Sequence, residues 1–423
     1  MPSTPSSGIT VETTLHHEEA FVASMAYMSA ARPVLCETLV LAGQRRGEVI
    51  RRISEDNGRT WTETGTVVLQ EHRGDRNLHW HHPTYCLDPE HGLLIEFTTQ
   101  YERWANERMS FGPDATDDML ELRTGRIFYR FSRDEGRTWG ARKQLVQTGP
   151  GYDETRWANG IEYGKNTGNL CPLSRVLKLR DGSILAPIWF WELGEDGELL
   201  KLPDRFGELI WPSTAVATFR GEWREELCDY EWQMSNAVTA PEYMTRGLDE
   251  GAVAELDDAR LLMLMRGSSD VRQVMTGAKF FCTSKDGGRT WGPAVPLTYP
   301  DLRIVHSPSS LPNLFRSCKN GRVYLIANVL PAPTRGCDPR YPLVIAEVHP
   351  MYYWVIPETV TVIADRRDDQ PDLVRFSNWQ MIEDRETGNP VLFMTATRAD
   401  AILPGSEGTI LPHAYRYEIR LPE

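Results

Sequence analysis

The sequence predicts an all-β fold, a six-bladed β-propeller, and three observations predict it. A motif of the form S-x-D-x-G-R-T-W occurs three times, at 54–61, 132–139 and 284–291. Its starting positions, 54, 132 and 284, are separated by 78 and 152 residues, the second interval close to twice the first, as if one unit had lost its copy. A unit of about 70–76 residues divides the 423-residue chain into about six, inside the range of four to eight blades usual for propellers. Short apolar, β-rich runs split by Gly or Asp turns recur at 33–43, 83–99, 174–190, 251–265, 310–328 and 377–397, which supplies six inner hairpins.

Each part of the motif has a local task. The Asp carboxylate accepts hydrogen bonds from turn N–H groups, the Gly takes a positive φ, and the Trp packs on neighbouring strands. Asp56, Asp134 and Asp286 are therefore read as structural residues in outer-strand turns, away from the propeller mouth. The segment Ile9–Leu15 is expected to pair with Tyr415–Leu421 and close the ring, so that residues 1–423 form one propeller domain. Long loops after hairpins two and three are where a rigid scaffold usually carries function.

Composition narrows the function. Lys plus Arg is 46 against 59 for Asp plus Glu, a net charge of −13 that repels nucleic-acid phosphates and anionic lipid. No run approaches the ~20 apolar residues of a membrane-spanning helix. The apolar stretch Ala20–Ala31 follows His16-His17-Glu18-Glu19 and lacks the basic flank of a signal peptide, so the chain is read as cytoplasmic, or as a mature secreted form. Seven Cys, without CxxC spacing, read as buried reduced thiols.

Counting outward from each hairpin turn shows which side chains gather at one mouth. With the fourth turn centred on Asp258, Glu250 and Arg266 lie eight residues either side and face each other. The same arithmetic places His81 and His82 near Thr99 and Gln100, Cys171 and Pro172 near Trp191 and Glu192, and Phe376 near Arg398. Guanidinium forks grip carboxylates in paired, charge-assisted bonds, so an Arg cluster in a funnel suits an acidic sugar. Tyr101, Trp104, Trp157, Trp189 and Trp191 either stack on sugar faces or serve as core.

With its three Asp boxes and its Glu250–Arg266 pair, the chain resembles the sialidase (neuraminidase) superfamily of Asp-box, or BNR-repeat, propellers from Arg32 to about Arg398. The resemblance implies that Arg266 is one of three arginines clamping a substrate carboxylate and that Glu250 polarises a nucleophilic Tyr. It implies Arg340, in DPRYPLVIAE, as another clamp residue, with Arg32 and Arg45 competing for the remaining place; Arg398, set near Phe376 by the hairpin count, is a further candidate binding residue. Two family features are missing. Glu48 is the only acid where an acid/base Asp is expected, and the Tyr position reads Val374-Arg375-Phe376-Ser377-Asn378; Tyr341, Tyr352, Tyr353 and Tyr415 are candidate substitutes.

The chain instead carries LHWHHPTYC, with His79, His81 and His82 before the first strand of blade two. Alternation sends His79 and His81 to one side and His82 to the other. A zinc site would need His306 as well, and the pattern calls for no metal or cofactor. A His beside cationic Arg stays neutral and suits a general base, so Glu250 and His82, with His81 in reserve, are the candidate catalytic residues. The expected activity is exo-glycosidic cleavage of a carboxylate-bearing sugar, with an acidic oligosaccharide or glycan as partner. The alternatives are a lyase eliminating at a uronate with a His or Tyr base, and a lectin-like binding propeller.

Overall fold

A computed structural model describes residues 8–41, 44, 47–104, 120–171, 175–203, 205–269, 275–398 and 412–423. Six antiparallel sheets stand as six blades. Blade one is Ala20–Tyr27, Leu35–Leu41, Glu48–Ser54 and Thr62–Val68, from the inside outward. Blade two runs Thr84–Asp88, Leu93–Trp104, Arg126–Ser132 and Lys143–Gln144, and its long second strand also carries the hairpin Gln70–Arg73 and Arg76–Trp80. In blade three the inner position is shared by Gly168–Leu170 and Leu177–Lys178, followed by Ile184–Trp191, Thr214–Arg224 and Asp229–Met234. Blade four is Leu248–Glu255, Leu261–Gly267, Lys279–Ser284 and Val295–Pro296; blade five is Asn313–Arg316, Val323–Asn328, Leu343–Glu347 and Thr361–Ala364.

Blade six joins the two ends of the chain. Gln380–Glu383, Pro390–Thr395 and Ala414–Arg420 come from the C-terminal part, and Thr10–His17 adds the outermost strand, with Thr10 opposite Arg420 and Leu15 opposite Tyr415. A strand from the first residues thereby holds the last blade by backbone hydrogen bonds, the closure expected from the sequence.

The core lies in the seams between blades. Phe97, Ile127, Ile188 and Phe219 fill the seam of blades two and three, Leu185, Val216, Met263 and Phe280 that of three and four, and Ala252, Leu262, Leu325 and Ala346 that of four and five. Burying each of these Val, Leu, Ile, Met and Phe side chains stabilises by roughly 1.5–3 kcal/mol.

The Asp boxes join third to fourth strands in blades one, two and four, at the end of the propeller away from Glu250 and Arg266. In each, the Ser hydroxyl donates to the Asp and accepts from the Gly N–H, and the Asp accepts from the Thr N–H and hydroxyl; for Asp134 these last two distances are 2.8 and 2.6 Å. The same bonds recur around Asp56 and Asp286. They hold Asp56 and Asp134 ionised, with pKa values drawn down to about 2. Gly136 has φ +81°, a left-handed conformation that favours glycine, and Met28 Cε packs close against it. Blade five lacks the motif, and its corresponding turn uses His349, whose Nδ1 accepts the N–H groups of Met351 and Tyr352 at 3.2 and 3.3 Å.

Three of the sequence expectations are corrected. The run 33–43 is not an inner hairpin: its strand Leu35–Leu41 is second in blade one, and the inner strand is the apolar Ala20–Tyr27. In blade three the inner strand is interrupted after Leu170, and the extra residues slip the register. Cys171 therefore donates its N–H to Pro187 O at 3.1 Å, and Trp191 bonds Thr167 instead; Pro172 lies outside the described residues. All seven cysteines are free, but only Cys36, Cys86, Cys171 and Cys282 are buried; Cys228 and Cys318 are exposed because they sit in turns. Among the described residues no helix is long and apolar enough to cross a membrane.

Candidate functional site

Inner strands begin, and second strands end, at the same end of the ring, so each blade brings two short segments to one mouth. In blade four these are Asp249-Glu250 and Arg266. The ladder pairs Glu255 with Leu261 and Ala252 with Leu264, a register that would set Glu250 opposite Arg266. A bulge intervenes: Glu250 has φ +47°, and Asp249 takes the place opposite Arg266. A non-glycine residue in the left-handed region is costly and persists where surrounding structure imposes it.

Glu250 still reaches Arg266, its Oε2 3.1 Å from Nη1 in an ion pair. Arg266 Nε donates to Ser309 Oγ at 2.9 Å. Burial disfavours the Arg266 charge, but Glu250 and Asp249 outweigh it and raise its pKa. Asp249 is itself buried and accepts the Ser268 hydroxyl.

Arg340 arrives from the loop before the third strand of blade five and bridges in parallel to Arg375. Its Nη2 donates to Ser309 O at 3.2 Å, Nη1 to Ser377 Oγ at 3.1 Å and Nε to Cys337 O at 3.1 Å. Arg266 and Arg340 are thus brought together on one serine. Burial, then repulsion from Arg266, lowers the Arg340 pKa. Arg375 is held by both carboxylate oxygens of Asp338, Nε to Oδ1 2.7 Å, which raises its pKa. Lys279, fully buried opposite Arg266 in the ladder, donates to Pro308 O at 2.9 Å and Ser310 O at 2.5 Å, and burial, with Arg266 next, pushes its pKa well down. It braces the serine segment 307–310. Burial opposes ionisation of the Cys337 thiol, yet Arg266, Arg340, Arg246 and Arg375 together bring its pKa below the usual thiol value.

On blade two, His81 donates its N–H to Thr99 O at 2.8 Å, as the hairpin count requires. His79 stacks on Tyr101 at 5.5 Å and His81 meets the same ring edge-on at 5.0 Å, so the two share a side. Tyr101 also accepts from Arg103 Nη2 at 3.0 Å. Crowding by surrounding protein lowers the His81 pKa to about 3, with help from His82, and that of His82 to about 4. His82 is nevertheless exposed to solvent and His81 partly so.

Other residues fall elsewhere. Arg32 is corrected: it lies in the turn between the first two strands of blade one, at the Asp-box end, exposed and paired with Glu135, Nε to Oε1 3.2 Å. The cause is the shifted inner strand, which starts at Ala20 and takes the mouth position instead. Arg45 lies outside the described residues. Arg398 is exposed, beyond the second strand of blade six and opposite Val374 in a two-stranded ladder. Phe376 is 4% exposed in the seam of blades five and six and donates its N–H to Arg340 O. Of the candidate tyrosines, Tyr352 and Tyr353 occupy the His349 turn at the far end, while Tyr341 directly follows Arg340 and Tyr415 lies on the third strand of blade six. Trp157 and Trp191 are core, whereas Trp104 is exposed. His306 meets Thr276 Oγ1 at 3.2 Å beside blade four. Among the described residues, ligand-like spacing occurs at Asp88, Glu90 and His91, where Lys178 Nζ already stands 2.7 Å from Asp88.

Sequence reasoning does not reach Ser309, Ser377, Lys279 or Arg375. Serines give no periodic signal, although the run His306-Ser307-Pro308-Ser309-Ser310 just before an apolar strand sits where a mouth segment belongs.

Six blades, three of them closed by Asp-box turns, define an Asp-box β-propeller with the fold seen in solved sialidases. The chain belongs to the BNR repeat-like domain family, whose model matches residues 43–362. Its fold is similar to that of a protein of unknown function from Dyadobacter fermentans DSM 18053, at 12% identity and TM-score 0.59, over 98% of this chain and 100% of that one. The intramolecular trans-sialidase of Ruminococcus gnavus, solved with oseltamivir carboxylate, aligns at 11% identity and TM-score 0.58, over 95% and 94% of the two chains. The GH93 α-L-arabinofuranosidase of Fusarium graminearum, solved with arabinobiose, aligns at 13% identity and TM-score 0.52, over 95% and 92%. No curated protein matches the chain by sequence.

Proposed function

We propose that the protein is a glycosidase that cleaves the bond between a carboxylate-bearing sugar and its neighbour. The observation that carries this reading is the convergence of Arg266 and Arg340 on Ser309 at the mouth, with Glu250 beside Arg266. Two guanidinium groups fixed by Ser309, Ser377 and the Cys337 carbonyl are preorganised, so a substrate carboxylate meets donors already in place. Two proteins of similar fold, a trans-sialidase and an arabinofuranosidase, accord with the glycosidase part of this reading, while its carboxylate part rests on the arginines.

Within this reading the arginines bind and orient, Glu250 faces the reacting sugar, and His82 accepts a proton from the attacking group, with His81 in reserve. Lowered pKa values keep both imidazoles neutral at neutral pH, as a base requires. No Tyr stands at the position of Phe376, which is packed in a seam.

That same pair of observations, a neutral His81 imidazole against Tyr101 and a buried Phe376, favours a second reading, elimination at a uronate. One experiment separates them. A panel of acidic oligosaccharides is incubated with the protein, and reducing-sugar release is read beside the ultraviolet absorbance of an unsaturated uronate. Release alone supports hydrolysis, release with absorbance supports elimination, and silence in both supports a binding propeller.

A further inference from the structure

We propose that Glu192 is the proton donor to the departing oxygen, an inference that rests on the glycosidase reading. Glu192 directly follows Ile184–Trp191, the second strand of blade three, and so stands at the same rim as Arg266, near the end of the second strand of blade four. Its backbone is fixed from two sides: its N–H donates to Ser213 O at 2.9 Å, and its carbonyl accepts from Leu200 N at 2.9 Å. The side chain is fixed by Ser213, whose hydroxyl donates to Oε2 at 2.7 Å. The residue after Ser213, Thr214, reaches Arg246 O with both its N–H and its hydroxyl, at 3.1 and 2.9 Å. Arg246 leads straight into the strand that carries Glu250, so the two glutamates belong to one hydrogen-bonded rim.

Glu192 lacks the cation that holds several carboxylates near the rim. Glu250 pairs with Arg266, Asp338 with Arg375, Glu121 with Arg103 and Glu102 with Arg76. Among the described residues no Lys, Arg or His forms an ion pair with Glu192, which is only partly buried and hence reachable. Burial without a counter-charge favours the neutral acid, and it raises the Glu192 pKa against the opposing Ser213 bond. Every other carboxyl with a clear shift among the described residues moves the other way. A general acid must hold its proton at the working pH, and the surroundings of Glu192 favour its protonated form.

The step balances without a further reagent. The Glu192 O–H gives its proton to the glycosidic oxygen as the bond from that oxygen to the anomeric carbon breaks, and the leaving group departs as an alcohol. One water adds at the anomeric carbon, and the proton it releases to the base returns through solvent to the Glu192 carboxylate.

The test uses the full chain and its Glu192→Gln variant with 4-nitrophenyl and alkyl glycosides of N-acetylneuraminate and of D-glucuronate. A nitrophenolate leaves without protonation; an alkoxide does not. Expected is a loss of about 10²-fold or more on an alkyl glycoside and much less on its nitrophenyl counterpart, with an unchanged circular dichroism spectrum. Equal losses on both, or none, overturn the proton-donor role while leaving the glycosidase reading intact. A wild-type protein inactive on all four overturns that reading and the inference with it. Should Glu192→Gln not fold, Glu192→Asp, which keeps the acid but shortens its reach, is expected to show the same split between leaving groups, and equal losses there overturn the role.

Discussion

Arg266 and Arg340 meet on Ser309, one through its hydroxyl at 2.9 Å and the other through its carbonyl at 3.2 Å. Blades four and five thereby share one corner carrying two guanidinium groups. If both guanidinium groups hold one carboxylate, Arg266→Ala and Arg340→Ala should each weaken binding of D-glucuronate or N-acetylneuraminate by about 2–5 kcal/mol. The double variant should lose less than the sum, because the two act on one group. Calorimetric titration measures this, and unchanged affinity in either single variant speaks against a shared clamp.

His82→Ala should reduce turnover by about 10²–10⁴-fold if the imidazole is the base. Turnover of the wild type should fall as pH drops toward about 4, where His82 takes up a proton and can no longer accept one. A loss below about tenfold assigns the residue a packing role instead.

The same lowered values have a consequence for stability. Unfolded histidine titrates near 6.5, whereas His81 and His82 in the fold titrate at about 3 and about 4. Between these limits the unfolded chain binds more protons, so stability declines as pH falls from about 6.5. His81→Asn should flatten that decline in thermal melts at pH 7 and pH 5; an identical slope in wild type and variant contradicts the assignment.

The hairpin turns are legible in the sequence because Gly and Asp punctuate the apolar runs, and counting from Asp258 places Glu250 against Arg266 although a bulge rolls the register by one. The bulge itself has no sequence mark, since Glu250 is not a residue that favours positive φ. Blade one misleads for a physical reason: the run 33–43 is as apolar as an inner strand, and a second strand buried on both faces carries the same pattern. Arg32 consequently falls at the wrong end. Arg340 is reached only through resemblance, because the loop that delivers it has no periodicity.

In the Asp boxes, Asp134→Ala should lower the melting temperature at neutral pH, since it removes the acceptor for Thr138 and Ser132. The Asp134 pKa is depressed, so its contribution is present above the ordinary value of 3.8 and is lost as pH falls through about 2. Wild type and variant should therefore converge in acid; a gap that persists there would place the effect in packing.

The central claim is that the mouth recognises a sugar through its carboxylate. Its most direct test is calorimetric titration of the wild-type protein with methyl glycosides of D-glucuronate and N-acetylneuraminate and with the methyl esters of the same compounds, which replace the charged carboxylate by a neutral group. At least one acid should bind and its ester should bind far more weakly, with the difference abolished in Arg266→Ala. Equal binding of acid and ester, or no binding of either acid, would contradict it.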